Sequence, residues 1–329
     1  MRSHLFILFS IVFFANNLFA QDPQFSQFYA NPLYTNPAFA GASGNYRVVL
    51  NARDQYTALQ NNYKTISGSF DFNIPQLGGG LGAIATSDVS GDGQLTTTTF
   101  GAIYSYQIQI TQGFSMRAGI QGSFVQKSYD FSKFQFGDMI DDRFGFVNKT
   151  SEKVANQQIG FPNFAAGILA YTNLFYGGFA VHNVAEPNQS FYFPKSGSSQ
   201  YALPRRYTAH AGMNIDLTNE RDELERLSVS PNIIYMSQRD FNQINLGFYV
   251  RKQTITSGLW FRQTSQNTDA LILLFGLRFP RWRVGYSYDV TISGAKTATM
   301  GSHELSLAFE IAPKKQTKRI FKPLVCPVF

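Results

Sequence analysis

The stretch Arg206-Tyr207-Thr208-Ala209-His210-Ala211-Gly212-Met213-Asn214-Ile215-Asp216 decides the fold class. Tyr207, Ala209, Ala211, Met213 and Ile215 share one parity, whereas Arg206, Thr208, His210, Asn214 and Asp216 share the other. A period of two sends successive side chains to opposite faces of a β-strand. The same alternation recurs in residues 114–127, where Met116, Ala118, Ile120 and Phe124 oppose Arg117, Gln121, Ser123 and Lys127. It returns at 243–251 and again at 281–289, where Trp282, Val284, Tyr286 and Tyr288 oppose Arg283, Ser287 and Asp289.

Reading outward along the chain gives about fourteen such runs, the first centred near Val49 and the last near Leu307. A large soluble sandwich also exposes a polar face, but it would bury most of its aromatic residues. This chain has 32 Phe, 17 Tyr and 2 Trp, and only 15% of its residues are charged, against roughly 25% in an ordinary soluble domain. An apolar outer face, a polar lumen and no open edge are what lipid demands of a strand-built span. Aromatic positions at strand ends, such as Tyr104, Tyr106 and Trp282, suit the interfacial girdles of such barrels. The expected fold is therefore all-β, a transmembrane antiparallel β-barrel.

The connections alternate in length. Residues 73–79, 111–113, 172–174, 252–254 and 280–281 are short, with the charged 217–226 the longest of that set. Residues 128–162, 185–205 and 291–302 are long. Short turns at one end and long loops at the other, with an even strand count, place both termini on the short-turn, periplasmic side.

The ends of the chain are distinct from its body. Residues 1–20 read as a cleavable export signal, with Arg2, an apolar stretch and Leu18-Phe19-Ala20, so that the mature chain starts at Gln21. Residues 21–44 carry Asn31-Pro32 and Asn36-Pro37 among Phe25, Phe28, Tyr29, Tyr34 and Phe39. Proline denies this segment a central-strand role, and its aromatics exceed those of a solvated linker. It is expected to plug the lumen or its periplasmic mouth, or else to strap the outside of the wall. Residues 45–312 form the barrel, and 313–329 a basic periplasmic tail. Setting aside Arg2 and the tail's Lys314, Lys315, Lys318, Arg319 and Lys322, 22 basic residues face 21 acidic ones in the remainder. A nearly neutral body gives nucleic-acid binding no support.

Catalytic chemistry is sparse. After the signal the histidines are His182, His210 and His303, and no pair has metal-ligand spacing. His210 and Asp216 share a face but lie roughly 20 Å apart along a strand. Asp138, Asp141 and Asp142 cluster in the longest loop without a calcium-loop pattern and read as a solvated acidic loop. The single Cys326 makes no intrachain disulfide. No catalytic residue, metal or cofactor is expected, and the chain is not read as an enzyme.

Several stretches carry a family resemblance. Asp22-Pro23-Gln24-Phe25-Ser26-Gln27-Phe28 and Asn36-Pro37-Ala38-Phe39-Ala40-Gly41 resemble the start of the PorP/SprF family of Bacteroidota outer-membrane proteins. Gly285-Tyr286-Ser287-Tyr288-Asp289 and Gly301-Ser302-His303-Glu304-Leu305 resemble its closing hairpin, and Cys326-Pro327-Val328-Phe329 its ending. The resemblance implies a non-enzymatic outer-membrane barrel of the type IX secretion and gliding machinery. Its implied partners are outer-membrane lipid, a secreted substrate or adhesin bearing a type IX C-terminal signal, and the periplasmic ring and lipoprotein components. The competing expectation is a channel or hydrophobic-substrate transporter, with Arg117, Gln121, Arg251, Arg278 and Arg283 lining a lumen suited to anions.

Overall fold

The computed structural model describes residues 22–58, 62–91, 95–111, 113–134, 136–141, 143–151, 157–192, 201–218, 226–265, 269–292 and 300–313. Fourteen antiparallel strands form one closed sheet. They are β1 (Tyr46–Gln55), β2 (Tyr63–Ile74), β3 (Gly79–Ser90), β4 (Leu95–Gln109), β5 (Ser115–Tyr129), β6 (Gln158–Tyr171) and β7 (Phe175–His182). There follow β8 (Arg206–Met213, resuming at Ile215–Asp216), β9 (Ser228–Gln238), β10 (Phe241–Lys252), β11 (Ile255–Thr264), β12 (Ala270–Arg278), β13 (Trp282–Thr291) and β14 (Ser302–Ile311). Each strand pairs with its sequence neighbours, and β1 closes the ring on β14 with Leu50 opposite Leu307. The ring is thus closed in strand order, as a wall in lipid requires.

The alternation read from the sequence is inside-out relative to a soluble protein. On β5, Ile120 is 63% exposed while Arg117, three residues away on the opposite parity, is 2% exposed. Leu50, Ile66, Phe100, Phe164, Leu246 and Leu273 point outward in the same way, whereas Asn51, Arg53, Thr65, Ser105, Asn245 and Asp289 are buried. Tyr106 and Trp282 stand on the outer face near strand ends.

The short connections after β2, β4, β6, β8, β10 and β12 share one end of the barrel with the start of β1 and the end of β14; this is the turn end. The loop end carries the long connections after β5 and β7. The first of these folds into short turns and a small hairpin, Ile140–Asp141 against Gly145–Phe146. Its acidic residues serve the loop itself. Asp138 accepts from the Ser151 amide at 2.7 Å and Asp141 from the Arg143 amide at 2.9 Å. Among the described residues no acidic or histidine cluster could hold a metal ion, and Asp142 lies outside them.

The lumen departs from the expected all-polar interior. Around the N-terminal segment, Ile103, Leu169, Ile234, Trp260, Ile272 and Leu274 face inward and are buried. They pack on Phe28, Leu33, Ala38 and Phe39 of the N-terminal segment, so this membrane barrel contains a hydrophobic core. Trp260 and Trp282 therefore have opposite roles, one inside this core and the other on the outer face.

Candidate functional site in the barrel lumen

Residues 22–44 run through the lumen from the loop side to the turn end. Asp22 is held where the lumen widens, by Asn183 Nδ2 at 3.0 Å and by Arg206 at 3.4 Å, while its own amide donates to Gln238 at 3.1 Å. The Tyr34 hydroxyl donates to the Pro23 carbonyl at 2.5 Å, and Arg206 sits 4.7 Å over the Tyr34 ring. Phe25 packs edge-on against the same ring at 5.0 Å.

The two Asn-Pro pairs then bend the chain compactly. Pro32 opens a one-turn helix, Pro32–Thr35, and Pro37 opens the 3-10 turn Pro37–Phe39, both suited by a fixed φ and a missing N–H at a helix start. Asn36 caps the second turn through its Oδ1 on the Ala38 amide at 2.9 Å, and its Nδ2 donates to the Ile168 carbonyl of β6 at 3.0 Å. The approach to the wall is close. A Cβ on Gly119 would overlap the Ala38 amide nitrogen, and one on Gly167 the Asn36 side chain. Ser105 and Arg117 both donate to the Ala40 carbonyl, at 2.6 and 2.5 Å, and Arg117 also reaches the Ala38 carbonyl at 3.2 Å. The Gly41 amide donates to Asp71 at 2.7 Å, and Asp71 is clasped in turn by Arg47 at 2.8 and 3.1 Å. The chain then leaves at the turn end and enters β1.

The most concentrated chemistry surrounds Ser26. Arg53 on β1, Arg262 on β11, Asp289 on β13 and Glu304 on β14 are all buried and meet there. Arg53 contacts Asp289 at 2.8 Å and Glu304 at 3.1 Å, and Arg262 contacts Asp289 at 2.9 Å. The Ser26 hydroxyl accepts from Arg53 and Arg262, each at 2.6 Å, and donates to Asp289 at 2.6 Å. Glu304 receives the backbone amides of Ser26 and Gln27 at 2.6 and 3.2 Å. Gln27 is fixed further by the Glu304 carbonyl at 2.9 Å and the Ser306 hydroxyl at 2.6 Å. Two cations and two anions cancel, which is the condition under which buried charge is tolerable.

Above this cluster the lumen opens into a vestibule of about 530 Å³ on the loop side. Asp22, Pro23, Gln24 and Tyr34 form its floor, and Thr86, Thr97, Thr99, Gln121, Ser123 and Asn163 one wall.

The positions singled out in the sequence thus fall into separate groups. Asp22, Pro23, Phe25, Ser26, Gln27, Asn36, Pro37 and Gly41 lie in the lumen segment, and Asp289 and Glu304 reach it from the wall. Ser302 is buried at the loop end of β14. Tyr286, Tyr288 and His303 lie apart on the outer side of the wall, where the Tyr286 hydroxyl meets His303 Nδ1 at 2.7 Å and Tyr288 stacks on the same ring at 4.9 Å. Lys314, Lys315, Lys318, Arg319, Cys326, Pro327 and Phe329 lie outside the described residues.

The anion-lumen assignments need correction. Arg117 grips the N-terminal segment, and Arg283 pairs with Glu310. Gln121 alone of that set lines the vestibule. Arg47, Arg53, Arg262 and Trp260 were missed. For Arg47 and Arg53 the available signal was a charge on the same parity as Asn51 in β1.

A closed antiparallel wall with an apolar exterior defines the class, a membrane-spanning β-barrel with the architecture of outer-membrane proteins. The family model described as type IX secretion system membrane protein PorP/SprF matches residues 17–309. The chain belongs to the PorP/SprF family. No curated protein matches it. Among solved structures it is similar to the outer membrane protein Omp33 of Acinetobacter baumannii, with 9% identity, 82% of this chain and 100% of that one covered, and a TM-score of 0.45. It is also similar to the toluene transporter TbuX of Ralstonia pickettii, with 10% identity, coverage of 84% and 92%, and a TM-score of 0.48. For the CymD monoaromatic hydrocarbon channel the values are 11% identity, 87% and 94% coverage, and a TM-score of 0.49.

Proposed function

We propose that the protein is a non-enzymatic outer-membrane component of the type IX machinery that supports secretion or cell-surface retention of a large partner, such as an adhesin with a type IX C-terminal signal. The observation that carries this reading is the occupied lumen. The lumen below the vestibule is filled by the chain's own residues 25–42, packed on inward apolar side chains and hydrogen-bonded to buried charged groups of the wall. Such an interior favours a fixed platform over a conduit.

In this reading the turn end and both termini face the periplasm after removal of residues 1–20. The loop end presents the connection after β5 to the outside, with Phe144 75% exposed at the tip of its hairpin and Ile140 and Val147 exposed beside it. The basic tail meets acidic periplasmic components or anionic head groups, where each Lys or Arg is worth about 1 kcal/mol.

The test is photocrosslinking in intact cells from Phe144 and Tyr192. Capture of a secreted or surface-retained type IX substrate is the expected result, and capture of none rejects the reading. Conductance in planar bilayers separates the competitor. A sealed barrel agrees with the platform, whereas an open ohmic pore favours the channel.

A further inference from the structure

The vestibule is a site in its own right, and its chemistry is specific enough to name a ligand class. Its floor is the N-terminal segment, so it is a cup and not a stretch of passage. At about 530 Å³ it falls within the roughly 300–1,000 Å³ typical of small-molecule sites. Most of its wall comes from inward faces of paired strands, which hold side chains more rigidly than loops do.

Each of its formal charges already has at least one contact, and Asp22, Arg206 and Arg262 are ion-paired. Asp22 pairs with Arg206, Asp88 accepts from Thr65 at 2.6 Å and Ser90 at 3.2 Å, Lys127 donates to Gln189 at 2.6 Å, and Arg262 is committed to Asp289. The cavity also carries neutral groups that are unspent. Gln24, Thr97, Thr99 and Gln121 line the cavity, and no hydrogen bond ties their side chains to another described residue.

Hydroxyls and carboxamides each both donate and accept. A ligand that matches a wall of them must do the same around its whole perimeter, as a sugar does. Aromatic rings complete the match. Tyr56 and Tyr63 line the cavity and pack edge-to-face on each other, with ring centroids 6.2 Å apart at 82°, which leaves the outer ring surfaces for the C–H face of a pyranose. Tyr56 holds its place with φ of +63°, anchored by its amide on the Gly301 carbonyl at 2.9 Å. A bulky residue in that region is strained, and such strain concentrates at binding sites.

We infer that the vestibule binds an uncharged oligosaccharide, with Thr97, Thr99 and Gln121 as hydrogen-bonding groups and Tyr56 and Tyr63 as stacking platforms. An extended peptide is the alternative occupant, and the titration below separates the two.

The full-length barrel in detergent micelles or nanodiscs tests this by calorimetric titration with maltoheptaose, chitohexaose and mannohexaose, beside heparin fragments and a Ser/Thr-rich extended peptide. Saturable binding of at least one neutral sugar is expected. It should weaken tenfold or more in the Thr99→Val/Gln121→Ala double variant and disappear when Thr99→Trp fills the cup. Both variants must keep the heat-modifiable barrel, and a variant that loses it is replaced by Thr97→Val. Binding of no neutral sugar overturns the proposal. So does preference for heparin or peptide, or affinity unchanged in the folded variants. The crosslinking outcome above stands or falls independently of this result.

Discussion

The two halves of the lumen are built from the same strands and do opposite things. β5 shows the change within a few residues. Arg117 and Gly119 grip the N-terminal segment, while Gln121 and Ser123, one and two inward positions further on, line an empty cup. β11 repeats it, with Trp260 in the core and Arg262 at the cup's edge. The inward parity of a barrel strand therefore has no single character. How far the N-terminal segment reaches decides whether an inward side chain packs or is left available.

That contrast can be broken most severely at the charge cluster. Arg53→Met leaves Asp289 and Glu304 buried with one cation fewer, and removing one partner of a buried pair costs about 3–5 kcal/mol. The expected result is a lower thermal midpoint of the barrel and rapid proteolysis within residues 22–44. A next smaller effect is expected from Gly119→Val, whose side chain overlaps the Ala38 amide; overpacking of this kind costs about 1–3 kcal/mol. Release of the segment should then appear as new conductance in planar bilayers. Ser26→Ala removes three hydrogen bonds to charged groups but leaves those ions in direct contact with one another, so its net cost is that of about one such bond, about 1.5–3 kcal/mol. Its loss in denaturant midpoint should fall below that of Arg53→Met. In the other half, Thr97→Val should change stability by less than about 0.5 kcal/mol, as for surface sites away from packing, so an equal loss there would erase the distinction.

Much of this architecture was legible, and the reasons are local. Strand parity needs only neighbours in sequence, so Ile120 outward and Arg117 inward could be read directly. The partners of Arg53 could not be. Asp289 and Glu304 lie 236 and 251 residues away, and which inward charges share a level depends on the stagger of the closed sheet. Trp260 escaped notice for a related reason. An aromatic in a barrel strand reads as a girdle residue until something inside the barrel is there to receive it.

The smallest effect concerns the loop end. The Ser151 amide, with the Thr150 and Ser151 hydroxyls, holds the Asp138 carboxyl below its usual range. A depressed carboxyl contributes order that is complete above its unfolded value of about 3.9 and is lost as pH falls through the lower folded value. Hydrogen-exchange protection of the Ser151 amide should decline only in that acid range, and Asp138→Asn should abolish the pH dependence.

The Ser26–Glu304 contact spans 278 residues, nearly the whole chain. Contacts of that span carry the largest loop-closure entropy and form late. The segment translated before the first strand therefore waits for the last strand, and Glu304 arrives only when β14 closes on β1. A barrel stalled one strand short would hold an Arg53 without Glu304 and an N-terminal segment lacking this anchor. Capture of the segment thus reports completion, marking a finished barrel from inside and leaving an unfinished one open to proteolysis.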